Sequence, residues 1–116
     1  MKKTGDIWEI IAIKYLQNHW HHICDTNFKF GRFGEIDVIS EQWWRMFFSE
    51  VKYRSHLGYG YPEESIIPRK LHKCLRTVQY YCVRNKIDME NIQFDVIAIL
   101  RNTKWHRVTH YKNIEI

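Results

Sequence analysis

The chain has no CxxC pair, no apolar run long enough to span a membrane, no internal repeat, no low-complexity tract and no linker-like segment. Its cysteines, Cys24, Cys74 and Cys82, are odd in number and scattered. Cys74 and Cys82 fall on one expected helix, too far apart to bridge. Reduced thiols acting as small core residues, and a cytoplasmic setting, are therefore expected. The cluster His19-x-His21-His22 lacks cysteine or carboxylate partners at ligand spacing, which argues against zinc. Met1-Lys2-Lys3 opens like an export signal, but Asp6, Glu9 and Lys14 interrupt any apolar core that would follow, so a soluble protein is expected.

What remains is a 116-residue chain of ordinary globular composition, 45% apolar and 27% charged, enough for one domain around one core. Aromatic residues reach 16%, supplying core volume or flat stacking surfaces. Lys and Arg outnumber Asp and Glu by 18 to 13. The surplus suits a polyanionic partner, because each neutralised phosphate releases condensed counterions.

The order of elements predicts an α/β domain with one mixed sheet. From Gly5 to about Trp20, Trp8, Ile11, Ala12, Tyr15 and Leu16 recur at helical spacing, with Glu9 at the margin of that face. Phe28 to Phe30 reads as a short strand ended by Gly31 and Gly34. Glu35 to Glu41 alternates, with Glu35, Asp37 and Ile39 pointing one way and Ile36, Val38 and Ser40 the other. Met46 to Arg54 alternates too, placing Phe48, Glu50, Lys52 and Arg54 on one face. A hairpin centred on Trp43-Trp44 sets Asp37 opposite Glu50, although Gln42-Trp43-Trp44-Arg45 carries no strong turn signal. A loop is expected from His56 to Ser65, and Pro68 suits the first turn of a helix reaching about Asn85. That helix buries Leu71, Cys74, Leu75, Val78, Tyr81 and Cys82, and turns Arg69, Lys73, Arg76, Tyr80 and Arg84 outward. Ile92 to Leu100 reads as a central strand and Trp105 to Tyr111 as the last.

The informative stretch is Gly34-Glu35-Ile36-Asp37 followed, after the hairpin, by Glu50-Val51-Lys52. Glu50 and Lys52 share one side of a strand, about 7 Å apart along it, and Asp37 reaches that face from the neighbouring strand. Two carboxylates about 5 Å apart repel by about 3 kcal/mol at an effective dielectric of about 20, so like charges across strands are normally avoided. A hard divalent cation removes the penalty, and Mg²⁺ commonly takes one or two carboxylates plus water and phosphate oxygens. Lys52 can then orient the attacking water or neutralise charge at phosphorus, and Glu9 can hold an outer-shell water. On pattern alone, a surface ion-pair cluster explains the same residues equally well.

These residues carry a resemblance to a known family. Gly5-x-x-x-Glu9, Gly34-Glu35-Ile36-Asp37-Val38-Ile39, Glu50-Val51-Lys52-x-Arg54, Pro62-Glu63-Glu64, Pro68-Arg69-Lys70 and Phe94-Asp95-Val96-Ile97-Ala98 occur in order across most of the chain. The set resembles the YraN family of small bacterial endonuclease-like proteins within the PD-(D/E)XK nuclease superfamily, which is similar to archaeal Holliday junction resolvases. The resemblance implies a restriction-endonuclease-like mixed sheet flanked by helices in a single domain spanning the chain. It implies Mg²⁺ or Mn²⁺ held by Asp37, Glu50 and the Val51 carbonyl, with Lys52 as base or positioner and Glu9 in the outer shell. It also implies a homodimer acting on DNA, branched or gapped. Tyr53 stands where a small Thr or Ser is usual, and the hairpin tip is aromatic where a polar, Gly-containing one is usual.

Arg54, Arg69, Lys70, Lys73 and Arg76 are the candidate phosphate contacts, against the alternative of a solvated helix face. Trp43 and Trp44 can stack on unpaired bases, or serve a dimer interface or core. Asp95, inside an apolar strand, must find a hydrogen-bond partner if buried, and structural pairing is expected of it. Two rival functions share the composition: a nucleic-acid-binding module without catalysis, and a protein-interaction domain using its exposed aromatics.

Overall fold

A computed structural model describes residues 7–54 and 68–115, with side chains described at all of these except 54 and 68–71. The stripe Trp8, Ile11, Ala12, Tyr15, Leu16 folds as helix α1 (Ile7–Asn18), burying Ala12 and Leu16 completely. The helix stops two residues short of the expected end. His21 N–H reaches back to the Leu16 carbonyl at 3.0 Å and Trp20 N–H to Gln17 at 3.1 Å, the paired bonds of a Schellman cap. Its left-handed position, usually glycine, is Trp20 with φ 71°.

Strands β1 (His22–Phe30), β2 (Gly34–Gln42) and β3 (Arg45–Arg54) form an antiparallel meander. β1 is much longer than the three residues expected, because its polar stretch His22–Asn27 pairs along β2 and its apolar signal is confined to the Phe end. β3 then crosses through α2 (Pro68–Asn85) to a parallel neighbour, β4 (Ile92–Arg101), and β5 (His106–Tyr111) closes the edge antiparallel. The sheet order is β1-β2-β3-β4-β5. A 3-10 turn, Met89–Asn91, capped by the Asp88 carboxylate, leads into β4. Among the described residues no helix is long and apolar enough to cross a membrane.

The two helices lie on opposite faces, and β4 serves both layers. Phe94 and Val96 join Cys74, Val78, Tyr81, Cys82 and Phe48 on the α2 side. Ile97 and Ile99 join Ala12, Leu16 and Val38 on the α1 side. That two-sided burial is why Ile92 to Leu100 reads as a nearly continuous apolar run. Cys74 and Cys82 are core residues as expected, but Cys24 is exposed, set beside the register shift between Ile23 and Asp25. The side chain of Leu71 lies outside the described side chains, and the loop expected at His56 to Ser65 lies outside the described residues.

Helix α2 approaches β2 closely at Gly34. A methyl group there would sit 2.5 Å from Thr77 Oγ1 and 2.9 Å from the Lys73 carbonyl oxygen. Thr77 cannot yield freely, since its hydroxyl donates to that same carbonyl at 2.9 Å. Gly34→Ala should therefore destabilise the fold by about 1–3 kcal/mol; an unchanged urea midpoint would contradict the close approach.

Candidate functional site

The hairpin register follows the sequence expectation. β2 and β3 pair from Gln42↔Arg45 at the tip to Val38↔Ser49, the last regular rung before Asp37 and Glu50. There the strand geometry changes. Ile36 and Val38 are both fully buried, yet Ile36 belongs to the α2 layer and Val38 to the α1 layer. Residues two apart on a regular strand share a face, so the alternation expected from Glu35 to Ser40 is broken across Asp37. The opposite strand yields at the same level: Asn27, between Thr26↔Val38 and Phe28↔Ile36, has φ 53°. Asparagine is one of the few residues that tolerates this region.

The paired irregularity aims Asp37 along the sheet toward β3, where its Oδ2 accepts the Val51 N–H at 2.8 Å. The carboxylate is thus anchored one residue from Glu50. Glu50 is buried, 6% exposed, on the α2 side, and accepts a weak hydrogen bond from the Cys74 thiol at 3.4 Å. Lys52 follows two residues on, half-buried, in the same strand.

Glu9 departs from its expected marginal position. It is 8% exposed, turned into the sheet from the first turn of α1, and its Oε1 accepts from Asn27 Nδ2 at 2.5 Å. A polar partner on the bulged strand is what lets a carboxylate enter the apolar stripe. Asn27 therefore links Glu9 to the rung of Asp37, a role that the sequence reading did not assign it. Its signal was an isolated asparagine, a left-handed-tolerant residue, between strand-forming neighbours. Cys74, assigned only to the core, also touches the site. Among the described residues no three His, Cys, Asp or Glu side chains cluster as a metal cage. Of the candidate phosphate contacts, Lys73 and Arg76 are exposed on α2, with the Arg76 guanidinium 5.5 Å from the Phe33 ring centre; the side chains of Arg54, Arg69 and Lys70 lie outside the description.

A second polar cluster sits under the C-terminal half of α1. Asp95, fully buried, accepts from Gln93 Nε2 at 3.0 Å, the Asn113 N–H at 2.9 Å and His110 Nε2 at 2.6 Å. Burial works to raise its pKa, but the hydrogen bonds from His110, Asn113 and Gln93 outweigh it and hold the carboxyl below its ordinary value. An ionised carboxylate only accepts, so His110 Nε2 carries the hydrogen, and in the neutral ring Nδ1 takes the Tyr15 hydroxyl hydrogen at 3.0 Å. The structural pairing expected of Asp95 is met.

His21, buried nearby, contacts Ser40 Oγ through Nδ1 at 2.9 Å and packs edge-on against Phe47. His19 Nδ1 instead lies 2.8 Å from the Tyr15 carbonyl. Burial first, then His110, pushes the His21 pKa below 6.5, with Asp95 opposing and His19 and Lys112 adding to the depression. Below about pH 6.5 the unfolded chain takes up a proton that folded His21 refuses, so stability falls as pH drops toward the depressed folded value. The melting-temperature advantage of wild type over His21→Gln should therefore shrink between about pH 7.5 and about pH 5, as scanning calorimetry at the two pH values would read; a constant gap would refute it.

A five-stranded mixed sheet with a β3–α2–β4 crossover, one helix on each face and acidic residues at the point where β2 and β3 lose their ladder is a restriction-endonuclease-like α/β fold. The model of "Uncharacterised protein family UPF0102" matches residues 8–99. A UPF0102 protein of Persephonella marina is 40% identical over 95 residues, covering 82% of this chain and 81% of that protein. One from Acetivibrio thermocellus is 39% identical over 103 residues, 89% and 79% of the two chains. One from Clostridioides difficile is 35% identical over 112 residues, 97% and 96%. The chain belongs to the UPF0102 family, the YraN nuclease-like family that its motifs resemble.

Proposed function

We propose that this protein is a metal-dependent phosphodiesterase acting on nucleic acid, with Asp37, Glu50 and Lys52 at its centre. The observation that supports it most is the anchoring of the Asp37 carboxylate on the Val51 N–H, where the β2–β3 ladder ends beside Glu50. A sheet has no structural need to break two strands at one rung in order to bring an acid to a second acid.

The donor set suits Mg²⁺ or Mn²⁺: carboxylate oxygens of Asp37 and Glu50 and the Val51 carbonyl are hard oxygen ligands. When bound, such an ion polarises the phosphoryl group and acidifies a water. The chain's own residues supply the rest. The Val51 N–H holds the Asp37 carboxylate in one orientation. Burial of Glu50 beside Cys74 keeps bulk water from its carboxylate. Lys52 orients the attacking water or offsets charge on phosphorus, and Glu9, steadied by Asn27, holds an outer-shell water. Lys73 and Arg76 on α2 contact flanking phosphates. The proposed setting is cytoplasmic and the proposed substrate is DNA. The test is incubation of purified protein with labelled duplex, flap, branched and single-stranded substrates, with Mn²⁺ and with chelator; metal-dependent cleavage is expected, and its absence on every substrate overturns the reading.

A further inference from the structure

At the end of the hairpin away from Asp37, three tryptophans converge. Trp20, Trp43 and Trp44 line a groove of about 690 Å³ together with Glu41 and Gln42. They are 83%, 78% and 93% exposed. All three also hold left-handed backbone, with φ of 71°, 53° and 65°. Each is thus disfavoured twice, by its contact with water and by a conformation that bulky side chains rarely adopt. Trp20 is brought to the hairpin by Gln42, whose Nε2 donates to the His19 carbonyl at 2.6 Å. A tight two-residue turn of this hand is best made by Asn-Gly, so folding alone does not account for Trp43-Trp44.

We infer that this cluster is a stacking platform for unpaired bases of the nucleic acid whose backbone is handled at Asp37 and Glu50. The inference rests on the proposed phosphodiesterase reading and specifies its substrate: duplex adjoining unpaired nucleotides. Indole faces stack on any base, and a rigid turn pre-orders them. The chain's net charge of +5 attracts a polyanion and repels its own copy. At the groove itself, where Glu41 is the charged lining residue, the uncharged faces of bases rather than phosphates meet the indoles. The six residue steps from Asp37 to Trp43 span about 20 Å along the hairpin. That is about six base steps of duplex at about 3.4 Å each, so unpaired bases lie about six steps from the phosphate at the acids.

The test is fluorescence anisotropy in chelator, so that binding is read without cleavage. The probes are a labelled blunt duplex and the same duplex with a single-stranded tail. Wild type should prefer the tailed probe. The double variant Trp43→Asn/Trp44→Gly, whose turn is better suited to the backbone, should melt no lower than wild type yet bind the tailed probe about 5- to 150-fold more weakly per lost stack, with blunt-duplex affinity unchanged. Trp20→Ser should weaken the tailed probe alone as well. Equal binding of both probes, or variants that keep the tail preference, overturns the platform and leaves the phosphodiesterase reading standing. Binding of neither probe overturns the platform, and metal-dependent cleavage of either probe then keeps the phosphodiesterase reading. A dimer in sedimentation that the tryptophan variants dissolve assigns the surface to a second copy and also overturns the platform.

Discussion

Glu50→Gln and Asp37→Asn are each expected to lower metal-dependent cleavage at least about a thousandfold, equivalent to about 4 kcal/mol of transition-state stabilisation. Both exchanges keep shape and remove charge. Asp37→Asn retains an oxygen able to accept the Val51 N–H that now reaches Asp37 Oδ2 at 2.8 Å, so the variant keeps its anchor and the loss reports on the carboxylate. Glu50→Gln likewise leaves an oxygen for the Cys74 thiol, which in the wild type lies 3.4 Å from Glu50. Because both acids also lose mutual repulsion on neutralisation, the metal-free variants should melt at or above wild type, while the rise in melting temperature on adding Mg²⁺ should disappear. Glu9→Gln should cost less, about 10- to 100-fold, as befits an outer-shell group. Variants that cleave as fast as wild type would dismiss these acids from the chemistry.

Asp95→Ala is expected to destabilise the fold by about 3–5 kcal/mol, the consequence of leaving several buried donors without their acceptor. Three donors converge on that carboxylate, from His110, Gln93 and the Asn113 backbone, and alanine takes their shared acceptor away. Against a typical total of about 5–15 kcal/mol, the variant would be marginally stable. The same group shapes the acid limb of stability. Its folded pKa lies below 3.8, so its contribution is fully present above that value and is lost as pH falls through the lower folded one. Urea denaturation of wild type and variant at about pH 7 and about pH 3 checks both: the gap should be large at the first and smaller at the second.

Most of the architecture could be read from pattern because the pattern had one physical cause. The α1 stripe, the apolar run of β4 and the alternation of β3 each follow from which side faces the core, and the hairpin register followed from opposing the two alternations. What escaped was decided by single residues that break a period. Asn27 and the kink at Asp37 leave no periodic trace, since an irregular rung is defined by backbone angles that many sequences can reach. Glu9 looked marginal because helical geometry alone puts it beside the stripe; its burial depends on Asn27, eighteen residues away. The polar half of β1 was invisible because its face is largely solvated, and a strand with little to bury carries little signal. Trp43-Trp44 carried no turn signal for a plain reason: its residues oppose the turn they make.

The parallel pairing of β3 with β4 also governs when the molecule becomes competent during synthesis. Asp37, Val51 and Glu50 emerge early and belong to one meander of local contacts, which forms readily. Glu50, however, is covered by Cys74 of α2, and the second side of β3 is flanked by Ile92 to Leu100. A ribosome-bound fragment ending before β4 therefore holds the acids and Cys74 but lacks the parallel neighbour of β3, and the proposed centre matures only once β4 has emerged and docked.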